Sequence, residues 1–237
     1  MAISNIFIGD VCSNDYCIFP TNAGIYETPK RSIDFVEIDG RNGDLTIDNE
    51  RFENVKITYP CAVYENFSVN HAAFRSKLLR AKGYQRITDT FEPDRYRMGI
   101  LTDISSLSYS MDAKIGTFEM EFNCMPQWWL KSGDDVITLT GNGVLFNPTD
   151  YLAKPLIRVY GHGKIYIGSH EITVNTAGNE FIDIDCQSMD ADEGGINRNS
   201  NILVESWLDL GLDSGENGIK LDSTITKLEI TPRWYTI

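Results

Sequence analysis

The sequence is short of most features that announce a function. No apolar run approaches the roughly 18 residues needed to cross a bilayer as a helix. The first ten residues, Met1 to Asp10, hold no basic residue and no long apolar core, so no secretory signal is expected there. The five cysteines, Cys12, Cys17, Cys61, Cys124 and Cys186, are odd in number and contain no C-x-x-C pair. That argues against a disulfide framework or a zinc site and for free thiols in a reducing cytosol. Asn66-Phe67-Ser68 matches a glycosylation sequon, which without a secretory route carries no meaning. Only three histidines occur, His71 in a predicted helix and His162 and His170 in predicted turns. No cysteine or carboxylate completes a ligand spacing beside them, so all three are expected at the surface. There is no G-x-S-x-G elbow, no G-x-x-x-x-G-K phosphate loop and no H-E-x-x-H. Gly161-His162-Gly163 begins like a dinucleotide fingerprint, but the next glycine is Gly168 and no helical pattern follows, so a tight turn is expected. No catalytic residue, cofactor or metal is expected.

What is present is acidic and rich in β pattern. The 237 residues carry 34 acids against 21 bases, a formal net charge of −13. The length corresponds to one large domain or two small ones, enough to bury a core with no disulfide or metal staple. With 42% hydrophobic and 11% aromatic residues the chain is not expected to be disordered. The acidity argues against non-specific binding to nucleic acid or to an anionic membrane, because counterion release needs a basic face. No sequence-specific nucleic acid and no membrane partner is expected.

Short alternating runs separated by Gly, Asn and Asp recur along the chain. Val36 and Ile38 before Gly40-Arg41-Asn42-Gly43, and Leu45 and Ile47 after it, predict a hairpin with a two-residue Asn-Gly turn. A β run is predicted from Val55 to Val63, and another over Thr117 to Cys124, where Phe118, Met120 and Phe122 alternate with Glu119 and Glu121. Between them lies the best helix, about residues 71–82. Asn70 is its expected N-cap, Phe74, Leu78 and Ala81 its apolar stripe, and Gly83 its C-terminal stop. A domain boundary is expected near residue 131, after Trp128-Trp129-Leu130. Beyond it short strands are expected at Pro155–Tyr160, Lys164–Ile167, Glu171–Val174, Glu180–Asp185 and Ile225–Ile230, with Ala177-Gly178-Asn179 among the intervening turns, a ladder typical of a sandwich.

Two features hold charge or rings in concentration. The segment from His71 to Arg97 has seven bases, Arg75, Lys77, Arg80, Lys82, Arg86, Arg95 and Arg97, against three acids, a local +4 that leaves −17 for the rest of the chain. A solvated helix face is the plain reading. The functional one is a candidate subunit interface at Arg75, Lys77, Arg80 and Lys82, complementary to an acidic patch on another copy. Trp128-Trp129 and Trp234-Tyr235 would be a carbohydrate platform or an interface anchor if exposed, and burial is expected for at least one ring of each pair. Asp183 and Asp185 share one strand face, the pattern of a calcium or glycosidase pair but more often of a wet strand face. The acidic run Asp209 to Glu216 fails the calcium-loop alternation at Gly211.

The order of several short motifs is familiar. Thr28-Pro29-Lys30-Arg31-Ser32, Gly40-Arg41-Asn42-Gly43-Asp44-Leu45, Gly83-Tyr84 and Cys124-Met125-Pro126-Gln127-Trp128 resemble the N-terminal part of the phage distal tail (Dit) proteins of long, flexible, non-contractile tails. Asn147-Pro148, Pro155 to Gly161-His162-Gly163 and Ile230-Thr231-Pro232-Arg233-Trp234 continue the likeness over nearly the whole chain. The resemblance implies a mainly β (α+β) protein. An N-terminal ring-forming β domain with one helix would span 1–131, and a galectin-like or carbohydrate-binding-module-like β-sandwich 132–237, its last strand packing back on the first domain. It marks Gly40, Arg41, Asn42, Gly43, Pro126, Trp128, Pro155, Gly161, Gly163, Pro232, Arg233 and Trp234 as motif residues of structural weight. It implies a homohexameric ring at the virion tail tip, assembled in the host bacterial cytoplasm. The ring would join the major tail tube protein to the tail-associated lysin and to tail fibre or receptor-binding proteins, with the tape measure protein as a further neighbour and DNA passing through the lumen. The predicted turns leave little room for the long sandwich insertion through which some members bind host saccharide. Two other readings stand beside it: a free lectin-like module acting in host adhesion through Trp234 or Tyr235, and, more distantly, a glycosidase using Asp183 and Asp185.

Overall fold

The computed structural model describes residues 4–110, 115–175 and 180–237. The expected turn at Ala177-Gly178-Asn179 lies outside them. The chain divides into two compact units, Met1–Trp128 with Ile237, and Trp129–Thr236. It is mainly β with one α-helix.

Unit 1 contains β1 (Ile6–Ile8), β2 (Val11–Cys12), β3 (Ile18–Pro20), β4 (Ile25–Tyr26), β5 (Arg31–Val36), β6 (Leu45–Phe52), β7 (Val55–Val63), α1 (Phe67–Leu78), β8 (Gln85–Asp89), β9 (Arg95–Ile104), β10 (Ser108–Ser110) and β11 (Ile115–Cys124). Its main sheet is antiparallel in the order β2-β1-β8-β9-β11-β7-β3, with β10 added to β11 and β4 to β7. The centre is the β7–β11 ladder, where Cys61 faces Phe118, Tyr59 faces Met120, Ile57 faces Phe122 and Val55 faces Cys124. All eight side chains are buried, as strict alternation with Lys56, Thr58, Pro60, Glu119 and Glu121 requires of a strand pair wet on one face. Pro60 lacks an N–H for a ladder, and the chain along that edge is interrupted opposite it, β3 ending at Pro20 and β4 beginning at Ile25.

The helix differs from its sequence-based bounds. It spans Phe67–Leu78 rather than about 71–82, and its N-cap is Asn66 in the left-handed region rather than Asn70, whose side chain donates to the Glu65 carbonyl. The reason is the phase of the buried stripe. Phe67, His71, Phe74 and Leu78 fall at i, i+4, i+7 and i+11 and pack on the sheet, whereas Ala81 is exposed. After Leu78 the amides of Arg80 and Ala81 turn to carbonyls three residues back, so the helix unwinds before Gly83. His71 is accordingly buried, edge-on to Phe118 with ring centroids 4.6 Å apart, and not at the surface as expected.

The hairpin also differs. β5 and β6 pair as a separate two-stranded ribbon, but residues 37–44 connect them rather than a two-residue turn. Within that connection Arg41 N–H donates to the Ile38 carbonyl and Gly40 has φ +77°, the positive value that a turn of this kind demands at its third position.

The second unit follows β12 (Trp128–Leu130), which straddles the division. It contains β13 (Ile137–Leu139), β14 (Gly143–Asn147), β15 (Leu156–Gly161), β16 (Gly163–Ile167), β17 (His170–Val174), β18 (Ile182–Asp185), β19 (Asp190–Glu193), β20 (Ile196–Asn197), β21 (Ile202–Val204), β22 (Gly215–Leu221), β23 (Ile225–Thr231) and β24 (Tyr235–Thr236). Two antiparallel sheets, β13-β23-β15-β18-β19-β20 and β14-β22-β16-β17-β21, enclose one core. Ile157, Val159, Ile182, Ile184, Leu228 and Ile230 from the first meet Leu145, Ile165, Ile167, Ile172, Val174 and Ile219 from the second, every second residue inward. His170 opens β17 rather than lying in a turn.

Burial pushes the Cys61, Cys124 and Cys186 thiols up to about 12. Thiolate is the reactive form. Alkylation of the native protein followed by peptide mass spectrometry should therefore label Cys12 and Cys17 and spare the other three until denaturant is added.

Candidate assembly surfaces and motif residues

Two solvent-facing surfaces of unit 1 have no covering element. The first is the β5–β6 ribbon. Residues 34–51 are all exposed, and the ribbon joins no other sheet among the described residues. Its register places Val36, Leu45 and Ile47 on one face and Phe35 with Ile33 on the other. Phe35 is 64% exposed, and Val36, Ile38, Leu45 and Ile47 are exposed too. Isolated two-stranded ribbons are marginal in water, and an apolar one that leaves the body of its unit is an interaction surface by composition. From Arg31 to Phe52 the ribbon carries six acids, Asp34, Glu37, Asp39, Asp44, Asp48 and Glu50, against three bases, Arg31, Arg41 and Arg51. Asp48 is engaged by Arg31 at 2.6 Å, and its carboxyl is held low by the Glu50 amide and by that guanidinium. A bulge near Arg31 and a left-handed Glu50 bend the ribbon at its root.

The second surface is the outer side of α1. Arg75 and Lys77 on the helix, and Arg80 and Lys82 in the segment just after it, are all exposed, as are Val69 and Leu79. Below the helix end, Ile8, Leu78, Leu79, Ala81, Ile100 and Leu101 line a shallow groove of about 70 Å³. The other three bases of the positive segment do not join this surface. Arg97 is buried, its guanidinium 4.6 Å from the Tyr26 ring centroid and 4.3 Å from that of Trp128. Arg95 lies 4.9 Å from Trp128, and Arg86 covers Tyr96 at 3.6 Å. Guanidinium over an aromatic face is attractive and here packs rather than presents charge.

The motif residues serve turns and chain ends. Gly40 and Gly43 form the ribbon tip with positive φ. Pro126 is buried, and Trp128 is the half-buried ring of the arginine cluster just described. Pro155 is buried and its carbonyl accepts from the Cys186 amide. Gly161 and Gly163 flank the turn from β15 to β16. At Gly161 a Cβ would stand 2.3 Å from the Thr224 carbonyl oxygen and φ is +101°, so only glycine fits. Pro232 and Trp234 are buried, Arg233 N–H donates to the Gly133 carbonyl at 2.7 Å, and Leu130 N–H to that of Trp234 at 2.9 Å. Arg233 grips Asp185 with two hydrogen bonds, 2.7 and 3.0 Å. Burial alone would raise the Asp185 carboxyl, but Arg233 and the Gln187 amide hold it below the usual range.

Asp183 is likewise taken, accepting 2.7 and 2.8 Å bonds from Arg158, which sits directly across from it on β15. Two aspartates each locked to an arginine are not the acid and base of a glycosidase. The candidate sugar platform fares similarly. Trp234 is buried, Tyr235 stacks on Tyr151 at 5.6 Å, and beside the first sheet of this unit Arg158 covers Phe181 and Lys227 covers Tyr160. Among the described residues, no group of three or more His, Cys, Asp or Glu stands close enough to hold a metal, and no helix is long and apolar enough to cross a membrane.

Neither a protein-family model nor a curated protein sequence matches the chain. Solved structures do. The chain is similar over its whole length, and over the whole of the other chain, to the crystal structure of SPP1 Dit (gp 19.1), described as a paradigm of the hub adsorption apparatus of phages infecting Gram-positive bacteria, with TM-score 0.63 and 12% identity. Two structures of the phage P2 baseplate in its activated conformation, with Ca and with Sr, match over 97% of both chains, with TM-scores 0.52 and 0.53 and identities of 11% and 10%. The fold is therefore that of the Dit hub and baseplate proteins, which the sequence motifs had pointed to.

Two measurements test the assignments within each unit. Burial and the Arg75 charge lower the pKa of His71 below its ordinary value of 6.5. The unfolded chain then takes up a proton before the folded one does, so stability from neutral His71 is full above about 6.5 and is lost as the pH falls below it. The melting temperature should drop between about pH 7.5 and 5.5, and His71→Leu should flatten that slope. In unit 2, Arg233→Met should cost about 1.5–3 kcal/mol by urea unfolding, because it leaves Asp185 half-buried without its partner. A loss within error of zero would remove Arg233 from any structural role.

Proposed function

We propose that the chain is a structural component of a phage tail, the distal hub that joins the tail tube to the baseplate and host-recognition apparatus. The observation that carries this reading is the full-length likeness to the SPP1 Dit hub, spanning both units at once. A chance likeness of one β-sandwich would not extend through a ribbon-bearing ring-type domain and a second domain in the same order. In this reading unit 1 closes six copies into a ring, and unit 2 is carried with it. A ring uses heterologous contacts, one surface of each subunit meeting a different surface of the next. Unit 1 offers two such unlike surfaces, the acidic apolar ribbon and the basic helix face. The remaining −17 of charge outside the basic segment suits a lumen through which DNA slides without sticking.

The neighbours in this reading are the major tail tube protein on one side and, on the other, the tail-associated lysin with tail fibre or receptor-binding proteins. The tape measure protein ends nearby. The protein is a virion component with no enzymatic role of its own. The lectin-like alternative is disfavoured by the covered rings of unit 2. Native mass spectrometry and negative-stain electron microscopy of the purified chain test the reading together. A six-fold ring of about six chain masses is expected. Monomers alone at the highest attainable concentration, with and without tube protein, would refute it.

A further inference from the structure

We infer that the cavity at Arg97 in unit 1 is a binding site for a single carboxylate group, gripped by the Arg97 guanidinium between aromatic walls. Such a site is separate from the hub role and holds whether or not copies assemble. Arg97 stands where the strand pattern calls for an apolar residue. On β9 it lies directly across from buried Ile87 and shares its face with buried Gly99. It is 7% exposed, yet it makes no ion pair among the described residues. A buried cation without an anion is unfavourable, because the water it gave up is not replaced. The rings of Tyr26 and Trp128, 4.6 and 4.3 Å from the guanidinium, offset part of that loss but supply no negative charge. Burial accordingly pulls the Arg97 pKa down from its ordinary value.

The cavity beside Arg97 has the size and lining that one carboxylate needs. It measures about 60 Å³, and Ala23, Gly24, Tyr26, Tyr59, Arg95 and Trp128 stand on its wall with Arg97. That is room for a carboxylate and the carbon that carries it, and far too little for a large ligand. Arg95 adds a second guanidinium, 4.9 Å from the same Trp128 ring and likewise in no ion pair among the described residues. Two acids also reach the lining, and neither neutralises the arginines. Asp89 is taken: one oxygen accepts from the Tyr59 hydroxyl at 2.8 Å, the other from the amides of Phe91 and Glu92 at 2.9 Å each. Glu92 is exposed and in no ion pair among the described residues. These acids set the ligand class. A doubly charged phosphate is repelled by both, a singly charged carboxylate much less, and its two oxygens match the guanidinium fork. The carboxylate comes from a free small organic acid or from an acidic side chain of another copy of the chain; the contact is the same for both.

The test is isothermal titration of the full-length chain with sodium acetate at constant ionic strength, with sodium chloride as the control. Saturable binding with a Kd of about 10 mM or tighter is expected, the affinity that so small a ligand supports. The melting temperature should rise with acetate and not with chloride, because the ligand binds only the folded chain. Arg97→Met should weaken acetate binding about tenfold or more, since a charged hydrogen-bond pair is lost. Should that variant fail to fold by circular dichroism, Ala23→Trp decides: it keeps Arg97, fills the cavity from the β3–β4 connection and should abolish binding. Repeating the titration at several chain concentrations separates the two sources. A side chain of another copy would compete, so acetate would bind more weakly as the chain is concentrated; with a free acid as the ligand the Kd stays constant. Either result upholds the carboxylate site. No saturable binding to the folded wild type at about 100 mM acetate, an equal effect of chloride, or unchanged affinity in Ala23→Trp would overturn it. Rings formed by a wild type that binds no acetate would still leave the hub reading standing.

Discussion

The pairing of β7 with β11 is the constraint from which the rest of unit 1 follows. Nine residues on each strand are held in one register, with Tyr59, Met120, Phe122 and Ile57 closing the core between them. β7 is also the root of both candidate assembly surfaces. The ribbon strand β6 ends at Phe52 and β7 begins at Val55, while α1 starts at Phe67, four residues after β7 ends. A slip of one residue in this ladder would turn every buried side chain outward. It would also change the direction in which ribbon and helix leave the sheet. Placing the two surfaces relative to each other is thus the work of the core.

In the second unit the same economy appears as paired charges rather than free ones. Arg158 opposes Asp183 across two neighbouring strands, and Arg233 reaches Asp185 from the chain end. These pairs consume the carboxylates that a catalytic or calcium-binding reading would need. Cation-covered rings at Tyr160 and Phe181 consume the platform that a lectin reading would need. Unit 2 nevertheless keeps bare apolar side chains of its own, among them Val144, Phe146, Leu203 and Leu208.

Much of this was legible in the sequence, and the exceptions have physical causes. The alternation of Phe118, Met120 and Phe122, the turn at Gly161-His162-Gly163 and the ladder of sandwich strands are local patterns, and the fold follows them. The helix bounds differ from the sequence expectation by four residues because Phe67 and His71 extend the stripe of Phe74 and Leu78 backward, while Ala81 falls outside it. The seven bases of the positive segment do not all present charge: Arg97 is buried against Tyr26, seventy-one positions earlier in the chain, and such a pairing exists only after folding. The neutralisation of Asp183 was hidden likewise, since it depends on strand register between β15 and β18. The ribbon's independence from the main sheet was invisible for the converse reason: its alternation looks like that of any hairpin, and only the absence of a covering layer distinguishes it.

The proposal at the centre is that the exposed surfaces of unit 1 meet other copies of the chain. Hydrogen–deuterium exchange at residues 33–48, measured across a dilution series that spans ring and monomer, tests it directly. The ribbon amides should exchange fast in the monomer and become protected in step with ring formation, together with the end of α1. Fast exchange of the ribbon at every concentration, in particles that are six-fold rings by microscopy, would contradict the account.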